Sequence, residues 1–400
     1  MRETTDILIA GGGVAGLTAA AAFGTAGFRV TCVDPDPPVT DASDDRADLR
    51  STAFLQPARA LLDRVGLWHR LASHATALQV MRIVDAGGAQ PDIRRSAEFD
   101  AAEISDQPFG WNIPNWLIRR ELSEAVRTIP GTDFRPGIAL TGLLPRDHEV
   151  IATLSDRSRI AARMVIAADG RDSPTRDALG IGARTLRYGQ KALAFAVTHP
   201  IPHGNVSTEV HRSGGPFTLV PLPDRGGLPA SAVVWMEPGP EAERLAALPV
   251  PEFERAMTER SAHILGPLTL VTRRSLWPII SRLAHRFAGP RTALVAEAAH
   301  VMPPIGAQGL NTSLADVACL LDLAVADPSA IGGTAMLDRY DRMRRPEVTA
   351  RLLGIDALNL AAMAGAAPLR DLRGVMLGLL HGVPPVRKAL MQAGLGAGSA

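Results

Sequence analysis

Hydrophobic positions along the chain change period several times, and the changes mark its elements. Residues 6–10 form a short apolar strand, residues 17–27 an Ala-rich helix, and residues 28–33 a second strand of β-branched character. Residues 35–48 are rich in Pro and Asp and read as a loop. Over residues 50–68, Leu55, Ala58, Leu61, Leu62 and Val65 keep helical spacing up to Gly66. Residues 80–99 alternate loosely, as strands of a separate sheet, and residues 116–128 form an amphipathic helix with Arg119 and Arg120 near its start. Strands follow around 138–143 and 150–154. Another apolar strand from Met164 ends at Asp169-Gly170 and leads into a helix to Leu179.

From residue 193 to 277 Pro, Gly, Val and Thr displace the helical period, apart from a helix over 252–265. This predicts a mostly antiparallel sheet lying across a pocket. A buried strand over 292–295 then ends in Glu297, a Pro303-Pro304-x-Gly306-x-x-Gly309 turn follows, and a helix opens near Gly309-Leu310-Asn311. Residues 335–391 are mainly helical, with no internal repeat anywhere.

Composition narrows the reading. Four hundred residues with 46% hydrophobic content can bury a substantial core, and a net charge of +1 without a long basic block argues against a nucleic-acid partner. Cys32 and Cys319 lie far apart in apolar runs, as small core residues of a reducing compartment. Residues 7–28 carry no charge, long enough to suggest a membrane span, but Gly11, Gly12, Gly13 and Gly16 sit where a turn needs them. Glu3 and Asp6 beside Arg2 do not make a secretory signal. The expectation is a soluble protein in the cytoplasm, with peripheral contact at the inner membrane left open.

The first strand, the Gly11-x-Gly13-x-x-Gly16 turn, the helix, the second strand and Asp34 together make a dinucleotide fingerprint in its required context. Gly11 serves the tight turn, Gly13 lets a pyrophosphate approach the backbone, and Gly16 lets helix and strand pack closely. Asp34 suits a ribose hydroxyl. At the late turn, Glu297 suits the hydroxyls of a sugar-like chain, and the helix start favours an electron-rich group. No GxSxG, HExxH or paired-cysteine motif is present, so neither a nucleophile nor a metal site is expected.

The order of these three elements (Gly-rich fingerprint, Asp169-Gly170, then Pro303-Pro-Ile-Gly-Ala-Gln-Gly309) resembles the flavoprotein aromatic hydroxylases of the p-hydroxybenzoate hydroxylase type. Within that group the chain looks most like the ubiquinone-biosynthesis hydroxylases. Asp48-Leu-Arg50-Ser-Thr-Ala53 and Ile113-Pro-Asn115-Trp-Leu-Ile-Arg119 are similar to two of their signatures. Tyr188-Gly-Gln190, His203, Glu209, Gly215-Pro216, Trp277-Pro278, Leu358-Asn359 and Pro384-Pro385-Val-Arg387 fit their pattern as well. One departure stands out: the family's late motif usually begins Gly-Asp, and here it is Ala296-Glu297.

The resemblance implies an α/β fold, a Rossmann-like FAD-binding domain with an inserted, mostly antiparallel substrate sheet and C-terminal helices. The FAD-binding domain would take residues 1–75, 111–186 and 286–330, the substrate domain 76–110 and 187–285, and the helical region 331–400. It implies bound FAD, NAD(P)H as transient reductant, O2, and a polyprenylated phenol hydroxylated in ubiquinone biosynthesis through a C4a-hydroperoxyflavin. Gly11, Gly13, Ala15 and Gly16 would line the pyrophosphate and Asp34 the adenosine ribose. Arg50 and Arg119 would meet the flavin or its phosphates, and Asp169-Gly170 the pyrophosphate. Glu297 would take the ribityl hydroxyls, with a contact shifted by its extra methylene. Pro304, Gly306 and Gly309 would shape the turn beside the isoalloxazine, with Pro304 the catalytic position. The N–H groups of Leu310 and Asn311 would stabilise negative charge on the reduced ring. His300 is expected near the cofactor but as a packing residue. A quinone-biosynthesis complex and a C-terminal membrane contact are further expectations. The alternatives are a non-catalytic FAD-binding or structural subunit, a flavin halogenase suggested by Gly110-Trp111-Asn112-Ile113-Pro114, and a flavin reductase that needs no oxygen.

Overall fold

Ile7, Leu8 and Ile9 are fully buried because their strand, Glu3–Ala10, lies inside an eight-stranded sheet. The computed structural model describes residues 3–87, 92–212, 214–363 and 381–395. Glu3–Ala10 pairs in parallel with Val30–Asp34 on one side and Arg159–Ala167 on the other. Thr132–Pro136 and Thr292–Leu294 extend the parallel part outward. Parallel strands are covered on both faces, which is why these segments read as unbroken apolar runs. On one face pack the helices Val14–Thr25, Asn115–Thr128 and Gln308–Ala326. On the other, Leu8, Val33 and Val165 meet Val150, Ala152 and Leu154 of an antiparallel extension. Gln308–Ala326 is long and apolar enough to cross a membrane, but its Leu314, Val317, Leu320 and Ala324 are wholly buried in this core.

The second sheet has nine strands. Ala183–Thr198 runs between Ser275–Ala284 and Leu228–Pro238, and Pro216–Arg225 and Val206–His211 follow outward. Val80–Asp85 joins in parallel beside Val206–His211, so the early and late parts of the sheet meet there. One face carries Phe195, Phe217 and Trp235 against Phe253 of the helix Val250–Arg260. Strand alternation turns the intervening residues the other way, towards the first sheet.

Three expectations change. The helical spacing over 50–68 begins as a strand: Ser51–Leu55 pairs antiparallel with Gly110–Pro114, and the helix is Gln56–Arg64. The helix expected over 252–265 is Val250–Arg260, since Ala262 and His263 take positive φ. A further helix, Gly239–Ala247, opens on Pro240, where sequence reading saw only sheet. The C-terminal helical region holds Thr334–Met363 and Pro384–Leu395, while residues 364–380, with Arg370, Asp371 and Arg373, and residues 396–400 lie outside the described residues.

Candidate functional site

Two glycines of the first turn are required by close packing. A Cβ at Gly16 would stand 1.8 Å from the Gly11 carbonyl oxygen, and one at Gly11, whose φ is +109°, would stand 2.2 Å from the Ala168 oxygen. Gly13 differs. It caps the helix Val14–Thr25, and a Cβ there would meet no atom within 4 Å. Its free side opens into a cavity.

The strand that follows delivers Asp34 to the same place. Its carboxylate accepts from the Gly12 N–H, from the Asp36 N–H at 2.8 Å and from Arg119 at 3.1 Å. Arg119 also donates to the carbonyls of Gly12 and Asp36, at 3.1 and 2.8 Å, so one guanidinium braces the turn and the acid together. Further along, Arg50 forms a two-pronged pair with Asp48, at 2.7 and 2.6 Å, and stacks over Trp277 at 5.2 Å. Burial pushes the Asp48 carboxyl up, but the Arg50 guanidinium and Asn115 outweigh it and hold it below the usual range.

The late motif is shaped by two alanines in the left-handed region, Ala296 at φ +55° and Ala307 at φ +56°. Such a conformation costs an alanine about 1–2 kcal/mol, so the surroundings must hold it. The Ala296 N–H donates to Asp316 at 3.2 Å, and Asp316 is wholly buried between His300 at 2.7 Å and Arg344 at 2.9 Å. Burial alone would raise that carboxyl, and the His300 and Arg344 contacts bring it below its ordinary value. His300 is buried and bonds under the motif, and it also borders the cavity. Asn311 turns its side chain back to the Leu55 N–H and the Ala53 carbonyl, both at 2.8 Å. Gln308 is tied to the Gly394 carbonyl at 2.9 Å and to Arg351, which docks the C-terminal helix against the turn.

Glu297 is not free. Arg171 brackets it with two contacts of 3.1 Å. Asp169 is engaged by Ser173 and, at 3.0 Å, by the Thr175 N–H, so its side chain caps the short helix Pro174–Ala178, while both Asp169 and Gly170 border the cavity.

Every expected site position except Asn311 lines one cavity of about 800 Å³. Sequence reading missed two partners, Asp48 for Arg50 and Arg171 for Glu297. Arg171 follows Asp169-Gly170 directly, which was the only signal for it. Whether FAD fits can be judged from the backbone. A Cβ added at Gly13, Gly170 or Gly309 would meet nothing, so the cavity has bare backbone at the three motifs where a dinucleotide would lie. The residues fit the cofactor. No group of three or more His, Cys, Asp or Glu side chains suited to a metal occurs among the described residues.

The model of the FAD binding domain family matches residues 4–353. A ubiquinone hydroxylase, UbiL, of Rhodospirillum rubrum is 32% identical over 98% of this chain and 90% of its own length. The 3-demethoxyubiquinol 3-hydroxylase of Escherichia coli is 26% identical, with 94% of each chain covered. Among solved structures, p-nitrophenol 4-monooxygenase PnpA from Pseudomonas putida DLL-E4 superposes with a TM-score of 0.81 over 100% of both chains at 21% identity.

Proposed function

The chain belongs to the FAD binding domain family and is an FAD-dependent monooxygenase, and we propose that it hydroxylates a polyprenylated phenol in ubiquinone biosynthesis. The carrying observation is the continuity of the cavity. It runs from the fingerprint turn past the late motif to a wall of the large sheet made of Ala194, Val220, Ala232 and Val234. Small side chains on that wall leave room for a bulky apolar substrate beside the cofactor. Bound there, FAD would supply the chemistry by which NAD(P)H reduces O2 and one oxygen atom goes to the ring, the other to water.

The protein's own residues do the rest. Gly13 and Gly170 present backbone to the pyrophosphate, and Asp34, fixed by Arg119, faces the adenosine ribose. Arg171 and Glu297 together would hold the ribityl hydroxyls. Pro304 and Gly306 would shape the turn that holds the flavin ring, and the N–H groups at the helix start by Leu310 would stabilise negative charge on it. The only support for a non-catalytic subunit is the departure at Ala296-Glu297. That pair keeps its carboxylate in the cavity wall, which removes the support.

The finer reading of partners rests on the C-terminal helices. On Thr334–Met363, Leu353, Leu358 and Leu360 are 65%, 60% and 55% exposed, and Val383, Val386 and Leu390 stand exposed near the C-terminus. Such a face suits peripheral docking on a bilayer that stores the lipid-soluble substrate, or on a partner of a biosynthetic complex. The test is substrate-stimulated NAD(P)H oxidation with 2-farnesylphenol, with the product identified by mass. Oxygen-dependent formation of a phenol heavier by one oxygen is expected. Oxidation that gives only peroxide and no such product would overturn the reading.

A further inference from the structure

One carboxylate interrupts the apolar wall of the large sheet. Among the described residues, Glu209 is the single charged side chain that the strands Val80–Asp85, Ala183–Thr198, Val206–His211, Pro216–Arg225, Leu228–Pro238 and Ser275–Ala284 contribute to the cavity. Its strand neighbours are small or apolar: Ser207 two positions before it, Thr218 across one ladder and Ile83 across the other. Alternation puts His211 on the same face, and its Nε2 lies 2.7 Å from the Glu209 carboxylate. The His211 Nδ1 is buried without a hydrogen-bond partner, so a proton there would have no acceptor and the ring serves the pair by donating from Nε2.

The surroundings of Glu209 differ from those of the carboxylates at the nucleotide end. Asp34, Asp48 and Glu297 each meet a guanidinium. No arginine or lysine pairs with Glu209 among the described residues, although its side chain is only 17% exposed. Histidine engages Oε1 and leaves Oε2 without a protein donor. Glu209 lines the cavity, so its second oxygen is open to a hydrogen-bond donor that enters there.

We propose that Glu209 accepts the hydrogen bond of the substrate's phenolic hydroxyl, with His211 as the residue that positions it. The proposal rests on the phenol-hydroxylase reading and names the group in this site that recognises the phenol. A charged acceptor draws the hydroxyl proton towards itself and leaves more electron density on the ring carbons ortho and para to the oxygen. Those carbons are the ones an electrophilic oxygen attacks. The same contact fixes which edge of the ring is held at the sheet and which is turned away.

The experiment compares 2-allylphenol with its methyl ether, 2-allylanisole, which has the same shape and no donor. Dissociation constants for both are read from quenching of tryptophan fluorescence in the holoenzyme, since Trp277 lines the cavity. The wild type is expected to favour the phenol by about tenfold or more, as expected of a buried hydrogen bond to a charged group. Glu209→Leu should bring the two ligands within about twofold by weakening only the phenol, and Glu209→Gln, which keeps size and a neutral acceptor, should fall between. His211→Asn should lower the ratio while the affinity for the ether stays put, a change that loss of packing alone would not give. If the wild type favours the phenol and both Glu209 variants keep that preference, the role of Glu209 is overturned and the hydroxylase reading stands. If the wild type turns over 2-allylphenol yet binds both ligands equally, the anchor is again overturned. If it neither binds nor oxidises 2-allylphenol, the phenol reading fails and the proposal with it.

Discussion

The two ends of the cavity are built on opposite plans. At the nucleotide end nearly every polar group is already satisfied by the protein: Asp34 by Arg119 and Gly12, Asp48 by Arg50, Glu297 by Arg171, and Asp169 by Ser173 and Thr175. At the sheet end the wall is mostly apolar, from Ala194 and Ala232 to Phe195 and Trp277, and among the described residues the sheet strands bring it a single carboxylate. The first plan preorganises a site for one ligand, because donors and acceptors whose positions are fixed beforehand lose little on binding. The second fixes a volume and one point of attachment, and leaves the remainder of the substrate to apolar contact. A protein that keeps one cofactor and passes substrates and products through needs both.

The sharpest way to break this comparison is at the glycines. Gly16→Ala should be the most damaging change, because its Cβ would fall 1.8 Å from a backbone oxygen that cannot move away. A loss of roughly 4 kcal/mol or more, or no folded protein at all, is expected in thermal melts. Gly13→Ala has open space and an ordinary φ of −72°. Its apoprotein should melt within about 1 kcal/mol of the wild type, while retained FAD falls. Equal damage from both would mean that Gly13 serves packing and not the ligand.

Next in size is Asp316, under the late motif. Removing one member of a buried ion pair costs about 3–5 kcal/mol, because Arg344 and His300 lose the carboxylate buried between them and only Glu347 still pairs with Arg344, and Asp316→Asn should show a loss of that order by urea titration. The pH dependence has a definite sign. The folded-state value of Asp316 is depressed, so its stabilisation is complete above the ordinary carboxylate value near 4 and is lost as pH falls below it. Wild type should therefore lose stability relative to Asp316→Asn as pH drops from about 5 to 3. A gap that stays constant over that range would show that Asp316 does not keep its charge.

The sheet end should respond in the reverse manner. Ala232 is buried on the cavity wall, and Ala232→Leu would fill space reserved for substrate without disturbing a charge pair. We expect kcat/KM for 2-farnesylphenol to fall roughly 10- to 100-fold, with less effect on a short phenol and none on FAD content. Uniform loss for long and short phenols would place the substituent elsewhere.

The contrast between the two ends also governs what the sequence discloses. The nucleotide end is carried by local motifs, in which strand, Gly turn, helix and acid follow in order, so Gly11, Gly13, Gly16 and Asp34 can be read directly. Pairs closed by the fold are hidden: Arg171 meets Glu297 across 126 residues, and nothing in either segment announces the other. Residues 50–68 misled for a related reason. Leu55, Ala58 and Leu61 keep helical spacing, but Ser51–Leu55 is claimed by its partner Gly110–Pro114, and a tertiary pairing overrides local pattern. The helix at Gly239–Ala247 starts on a proline read as punctuation, although Pro in the first turn is also a helix-start signal. Glu209 could be noticed in sequence only as part of a resemblance, and the lack of an arginine or lysine paired with it among the described residues is a property of the assembled wall.

The smallest expected effect concerns the departure at Ala296-Glu297. At φ +55° an alanine is strained by about 1–2 kcal/mol, and the glycine usual in similar proteins would not be. Glycine gives back roughly 0.5–1 kcal/mol through the greater freedom of its unfolded chain. Ala296→Gly should therefore be neutral to stabilising by at most about 1.5 kcal/mol, provided its N–H keeps the contact with Asp316. Adding Glu297→Asp should cost less than about 1 kcal/mol, because the Arg171 pair is partly exposed. Its effect belongs in FAD affinity, since the shortened side chain can no longer meet both Arg171 and the ribityl hydroxyls. Melts and FAD titrations of the single and double variants separate the two residues. If Ala296→Gly lowers the melting temperature, the methyl group packs more favourably than its backbone is strained, and the alanine is a fitted part of the rigid end.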